Sequence, residues 1–569
     1  MTETIRPDGW NESDFQMVLS IFEQISSIPR CSKNEEQIAA WLEKFGKDRG
    51  FETKRDHCNN VLISVPASAG MDNLPAVILQ AHTDMVCEKE SGTNHNFTAD
   101  PLKLQYFKEE GISWLTAENT TLGADNGIGM AYMLAAAASD SIAHPPLKLL
   151  FTTDEEIGLT GAQGMDSDFV SGEYMINLDS EEEGTIIVGC AGGTQICFKH
   201  LVDVENAYDS DDSDDIGGSS SIDSAADSVV DLVVASDDDS VPAKPYTIVV
   251  SGLLGGHSGT DIHIGRGNAN LILIQFFKRL TERYTQNVIK LIKIKGGTAA
   301  NTIPRRAELS FVTDIPADSL RAEVADYVML ISSVPSFNDP NVSVEVADAD
   351  LSNIKKSGLK SFSAKNTGRI LNFLIAIPNG VFEMSASIPD LVLTSGNLAI
   401  IKTRSNAEYF KGAEKEAESS DLDIYTEKSK RELEIIYSLR SGNELRLKEK
   451  IKEMMALSEK HHFNFEITHT YSPWEPDFNS EFLKNCAEIY RKTFGNDVRI
   501  SAIHAGLECG VFHRQFPSMK MISIGPDITA AHTPGEKLNL DAAEKVWIYL
   551  KEILKSFGEM PQSDGNVTE

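Results

Sequence analysis

"KLLFTTDEEIGLTGAQG", residues 148–164, drives an apolar run, Leu149-Leu150-Phe151, straight into Asp154, Glu155 and Glu156. A short apolar run bounded by turn signals reads as a buried strand. Acids crowd a buried strand end where something there needs their charge. Adjacent residues at a turn point in different directions, so one carboxylate can hold a cation while its neighbour faces water. The segment Gly158 to Gly164 that follows is pliable.

Moving outward, the same pattern recurs. "AVILQ" (76–80) ends in Ala81-His82-Thr83-Asp84, and "MINLD" (175–179) ends in Asp179. On an extended chain, residues i and i+2 face the same way, so His82 and Asp84 project together. A carboxylate beside an imidazole fixes its tautomer for metal binding. Alone, such a pair is more often a surface histidine with a polar neighbour. "TTLGADNGIGMAYML" (120–134) places Asp125 at a helix start, where helix capping is the plain alternative. "SIGPDITAAHTPGEKLNL" (523–540) places His532 in a loop after an apolar run.

Helical spacing at 14–27 and 34–49, an Ala-rich stretch at 127–138, and apolar runs at 61–65, 76–81 and 147–152 alternate along the chain. Asn34 followed by Glu36 suits a helix start. The alternation predicts an α/β layer with a largely parallel sheet. Open α/β sheets place their sites at the carboxyl ends of strands, which is where these acids and histidines stand.

The chain has 569 residues, a length for two or three domains. Its formal net charge of −33 argues against nucleic acid or an anionic membrane as partner. No apolar stretch approaches 18 residues, so no membrane span is expected. The start, "MTETIRPDGWNESDF", shows no signal peptide. Between Asp203 and Asp239 lie thirteen Asp and Glu and no Lys or Arg, so 203–243 is expected to be an unfolded acidic insertion. Its "VVDLVVA" is the one part with apolar character. Seven scattered cysteines without a CxxC predict reduced thiols in a cytoplasmic protein.

Five of the strand-end residues form a plausible two-metal set: His82, Asp125, Glu156, Asp179 and His532. Three carboxylates and one hydroxide would balance two divalent cations. Nitrogen and oxygen ligands without cysteine suit Zn²⁺, with Mn²⁺ and Co²⁺ as alternatives. A metal lowers the pKa of its water from about 15.7 toward 7. The second glutamate can then take that proton and pass it to a leaving amine.

"LQAHTDMVCEK", "TLGADNGIGMA", "TTDEEIGLTGA", "INLDSEEEG", "GGHSGTDIHIGRGNAN", "HAGLECGVF" and "SIGPDITAAHTPGEKLNL" together resemble the aminoacyl-histidine dipeptidases. These belong to the co-catalytic zinc exopeptidases, and the resemblance runs from about residue 12 to 557, broken by the acidic insertion. It implies a split catalytic α/β domain, about 1–192 and 470–569, with an inserted α+β lid, about 193–469. It implies that His82 and Asp179 serve one metal, that Glu156 and His532 serve the other, and that Asp125 bridges. Glu155 would be the general base and acid, and Asp84 would orient His82. His257, in "GGHSG", would polarise the scissile carbonyl, reaching it by lid closure or from a partner subunit. Arg440, in "YSLRS", is expected to bind the substrate carboxylate, with a surface salt bridge as the equal alternative. Glu508, in "GLECG", is expected to meet the free amine, and Asn301, in "GGTAANTIPRR", to bind substrate or serve structure.

The implied activity is hydrolysis of dipeptides, including Xaa-His, by a cytoplasmic enzyme, with a homodimer among the allowed assemblies. An aminoacylase or tripeptidase with the same metals is the alternative, and an inactive binding scaffold the more distant one. The insertion departs from the family pattern without touching the expected catalytic positions.

Overall fold

The computed structural model describes residues 14–208, 243–349, 359–405 and 430–559. The acidic run after Tyr208, "VVDLVVA" included, lies outside them.

Every residue of the strand Val77–His82 is buried, as a strand covered on both faces requires. Leu147–Thr152 lies parallel to it on one side and Tyr174–Asn177 parallel on the other. Lys520–Ser523 continues the parallel run beside Tyr174–Asn177. These four strands form the centre of an eight-stranded sheet. Its full order is Glu52–Arg55, Val61–Val65, Leu147–Thr152, Val77–His82, Tyr174–Asn177, Lys520–Ser523, Thr185–Cys190 and Arg499–Ile503. Antiparallel pairing of the first three strands makes the sheet mixed, its centre parallel as expected. Four adjacent carboxyl ends therefore open onto one edge.

Helices cover both faces of this sheet. Ala124–Ala138 is buried almost all round, the mark of a helix inside a core. Its Tyr132 ring stacks on Trp547 of the helix Leu540–Ser556 at 6.0 Å between centroids. The helices expected near 14–27 and 34–49 run Phe15–Ser26 and Glu36–Asp48. The Asn34 start is corrected: no side chain caps the second helix. The Asn34 N–H is held by the Cys31 carbonyl at 2.8 Å, and the carboxylate of Glu35 is taken by the Asp154 N–H at 3.0 Å.

At Ala191 the chain leaves this sheet and enters a second one through the strand Gly192–Asn206. Among the described residues, ten strands, paired antiparallel, build it within 192–471, with four long helices, Ala269–Arg283, Ala317–Ser332, Ala364–Ala376 and Glu444–His461. It has its own apolar core, including Phe198, Phe276, Phe311 and Phe373, separate from the core of the first sheet. The chain returns beside its exit, where Cys190 and Trp474 exchange backbone hydrogen bonds of 3.0 and 3.1 Å.

A small four-stranded sheet supports the remaining loop. Thr529 pairs with Lys537, and Lys537 with Thr116, pinning the two ends of the 530–536 segment that carries His532.

The expectation of reduced thiols is corrected at one pair. Cys31 and Cys87 form a disulfide with their Cα atoms 5.7 Å apart. Tertiary structure, not spacing, brings them together: Cys31 bridges Met85 in parallel fashion, and Arg30 Nη1 holds the carbonyls of Thr83 and Asp84. Among the described residues the other five cysteines are free.

Candidate metal centre and substrate cleft

Each of the expected metal ligands stands at the carboxyl edge of the parallel strands. His82 ends its strand, and Asp179 lies two residues past Tyr174–Asn177. Glu155 and Glu156 begin a single helical turn after Leu147–Thr152, entered through Asp154 at φ 54°. Asp125 occupies the irregular first turn of Ala124–Ala138.

The geometry is two-ended. His82 Nε2 is 2.9 Å from Asp125 Oδ1 and 3.2 Å from Asp179 Oδ1. His532 Nε2 is 3.0 Å from Asp125 Oδ2 and 2.9 Å from Glu156 Oε2. Asp125 thus turns one oxygen toward each histidine, with a further carboxylate beside each. Its carboxylate makes no helix-capping bond, so the capping alternative fails there.

These residues fit a pair of divalent cations. Ligand atoms of His82, Asp125 and Glu156 all lie within 4.8 Å of one another. Glu156 Oε1 is buried with no hydrogen-bond partner, and an unpartnered buried acceptor is costly without a cation. Burial, with Asp125 beside it, pushes the Glu156 carboxyl up to about 7 despite the bond from His532. Burial also raises Asp179 to about 6 against the pull of His82. Three carboxylates packed on two imidazoles carry an excess of negative charge that divalent cations would offset.

Asp84 is fully buried and holds two elements at once. Its Oδ1 lies 3.4 Å from His82 Nδ1 and accepts from the Glu155 N–H at 3.0 Å. Its Oδ2 accepts from Ser32 Oγ at 2.7 Å and from the Glu156 N–H at 3.3 Å. Burial works against its charge, but the bonds from His82, Ser32 and the Glu155 N–H outweigh it and keep the pKa lowered. Glu155 itself is raised well above the usual range, by burial first and then by Asp179, Glu156 and Glu508, against His82.

Residues between Gly192 and Tyr471 contribute the cleft's other wall. His257 lies on a two-residue strand, Gly256–His257, paired with Thr302–Ile303. The Thr260 N–H donates to its Nδ1 at 3.2 Å. Burial, then Arg440, His532 and His504, lower the His257 pKa to about 3. The imidazole is therefore neutral, and it shares a field with His532 within one chain. Arg440 Nη2 stands 3.4 Å from His257 Nε2, and Arg440 Nη1 donates to the Tyr471 hydroxyl at 2.7 Å. Arg440 is 7% exposed and its Nε is buried and unpartnered, so the surface salt-bridge alternative does not apply. Gly259 allows this packing: a Cβ there would lie 2.2 Å from the His504 carbonyl oxygen and 3.0 Å from the His257 ring. Asn301 takes part through its backbone, its carbonyl accepting from the Ser258 N–H at 2.7 Å.

Glu508 stands beside the cluster, its charge acting on that of Glu155. It is completely buried, and its Oε2 accepts from Gln80 Nε2 and Thr152 Oγ1, both at 2.6 Å. It belongs to the floor beneath the strand ends, where its Oε1 is buried with no hydrogen-bond partner. Glu181, which the sequence reading passed over, is exposed, and its charge interacts with those of Asp125, His532, Asp179 and Glu156. Its place two residues after Asp179 was the available signal.

The comparisons with known proteins agree with this geometry. The family described as Peptidase family M20/M25/M40 matches residues 78–556. The cytosol non-specific dipeptidase of Escherichia coli (strain K12) is 34% identical over 544 residues, covering 95% of this chain and 97% of the relative. The crystal structure of aminoacylhistidine dipeptidase from Vibrio alginolyticus superposes with a TM-score of 0.70 at 30% identity, covering 97% of this chain and 99% of that one.

Proposed function

The chain belongs to peptidase family M20/M25/M40, and from that premise we propose that it hydrolyses dipeptides at a two-metal centre. His82 and Asp179 would hold one ion, Glu156 and His532 the other, and Asp125 both. Zn²⁺ suits this nitrogen and oxygen set, with Mn²⁺ and Co²⁺ as alternatives. When bound, the ions supply Lewis-acid charge at the scissile carbonyl and acidify water.

This chain's residues do the rest. Glu155, held in place by the bond from its N–H to Asp84, takes a proton from the attacking water and returns it to the leaving amine. His257, neutral at working pH, donates from Nε2 to the developing oxyanion. Arg440 and its partner Tyr471 receive the substrate carboxylate. Glu181, exposed beside the metal cluster, is the carboxylate we assign to the free amine. Residues 1–192 with 470–569 act as the catalytic domain and 193–469 as a lid. Recognition of both termini limits the substrate to two residues and disfavours N-acyl amino acids and tripeptides. The names of the two relatives support a cytosolic setting and Xaa-His dipeptides among the substrates.

The observation that carries this reading is Asp125 shared between two histidines, each with its own carboxylate. A panel of dipeptides, tripeptides and N-acyl amino acids tests it, with Glu181→Gln as the companion variant. The expected result is dipeptide preference, with KM raised in Glu181→Gln. Faster hydrolysis of N-acyl amino acids would replace this reading with an aminoacylase.

A further inference from the structure

The loop that carries His532 also carries a carboxylate with an unusual task. Glu536 is 2% exposed. Its Oε2 accepts from the N–H groups of Leu122 at 2.8 Å and Gly123 at 3.0 Å. Its Oε1 accepts from Ala124 N–H at 2.8 Å, with the Asp125 N–H 3.5 Å away. A helix start leaves its first N–H groups without partners inside the helix. A side chain just before the helix usually meets them. Here the acceptor arrives from the far end of the chain, four residues after His532.

The other face of the same segment is also held. Arg30, 1% exposed, donates to the Gly123 carbonyl and to the carbonyls of Thr83 and Asp84 at 3.1 and 3.0 Å. Gly123 adopts φ 65°, and a Cβ there would lie 2.5 Å from Arg30 Nη2. The segment is thus clamped by its backbone between a buried anion and a buried cation. Asp125 is the next residue but one, and its two oxygens reach toward both histidines.

We propose that Glu536 is a positioning residue that fixes Asp125 relative to His532, so that the two metal positions fill together rather than independently. The clamp ties the shared ligand to the loop of a ligand for one ion. This rests on the reading of Asp125 and His532 as metal ligands. Glutamine keeps the length of Glu536 but offers one acceptor oxygen and turns an NH₂ toward N–H donors. Aspartate keeps the charge on a shorter arm.

The test is calorimetric titration of Zn²⁺ into the full-length, chelator-stripped protein, with bound metal counted by mass spectrometry. Wild type should take two ions in one cooperative phase. Glu536→Gln should bind 10- to 100-fold more weakly, the usual range for lost support of a metal ligand, and in two separate phases. Excess metal should restore kcat with KM unchanged. Glu536→Asp should fall between, and it decides the matter if the glutamine variant does not fold. Wild-type affinity and a single phase in either folded variant, even with a lowered Tm, would reduce Glu536 to a structural cap and overturn the proposal. A wild type that binds fewer than two ions would instead remove the metal reading, and this proposal with it.

Discussion

His257 is the residue at which the two halves of the cleft meet. Its two-residue strand and the Thr260 N–H hold the ring, and burial beside Arg440 keeps it uncharged, with a pKa of about 3. Loss of one oxyanion donor costs on the order of 10²–10³ in rate. His257→Ala should therefore lower kcat by that factor while both metals stay bound and KM changes little. Unchanged kcat in folded protein would remove His257 from the site. The same burial sets a pH effect at His504, which is 5% exposed and also lowered to about 3, by burial and then by Arg440 and His263. Between pH 3 and about 6.5 the unfolded chain binds a proton that the folded His504 refuses. Stability contributed there is present above about pH 6.5 and falls away as the pH drops toward 3. Urea titrations should show a shallower acid loss in His504→Asn than in wild type, and identical slopes would refute the assignment.

At the scale of elements, the strand ends were readable because buried strands leave continuous apolar runs and acids interrupt them. Val77–His82 and Leu147–Thr152 lie within a residue of the expected runs, and His82, Asp125, Glu156, Asp179 and His532 converge as the motifs implied. Glu536, Arg30 and Glu508 were not readable in these roles. Each acts through partners more than 50 residues away, such as the Gly123 N–H and Gln80, and no local pattern encodes such a contact. Nor did spacing foretell the approach of Cys31 to Cys87, a contact between two loops. Thiol titration of denatured, unreduced protein checks it: five free thiols are expected where that bridge is intact, since five cysteines are free. Seven would contradict the bridge and return the pair to reduced thiols.

Among the described residues the molecule is built on two large sheets, joined where the chain crosses at Ala191 and again near Trp474. That arrangement lets one body carry the metal ligands while the other brings His257 and Arg440 to the cleft. The acidic insertion departs after β-structure that ends at Asn206, on the body without the metals. Deleting 209–242 should leave the dipeptidase rate and the Tm nearly unchanged, and a large loss of either would show that "VVDLVVA" is packed into the fold. The central claim is that two ions shared through Asp125 make this site a peptidase. Its most direct measurement is dipeptidase rate against equivalents of Zn²⁺ returned to the chelator-stripped protein. The account predicts no activity without metal, full activity at two equivalents per chain and no activity at any metal level in Asp125→Ala. Turnover that survives complete chelation, or saturates at one equivalent, would contradict it.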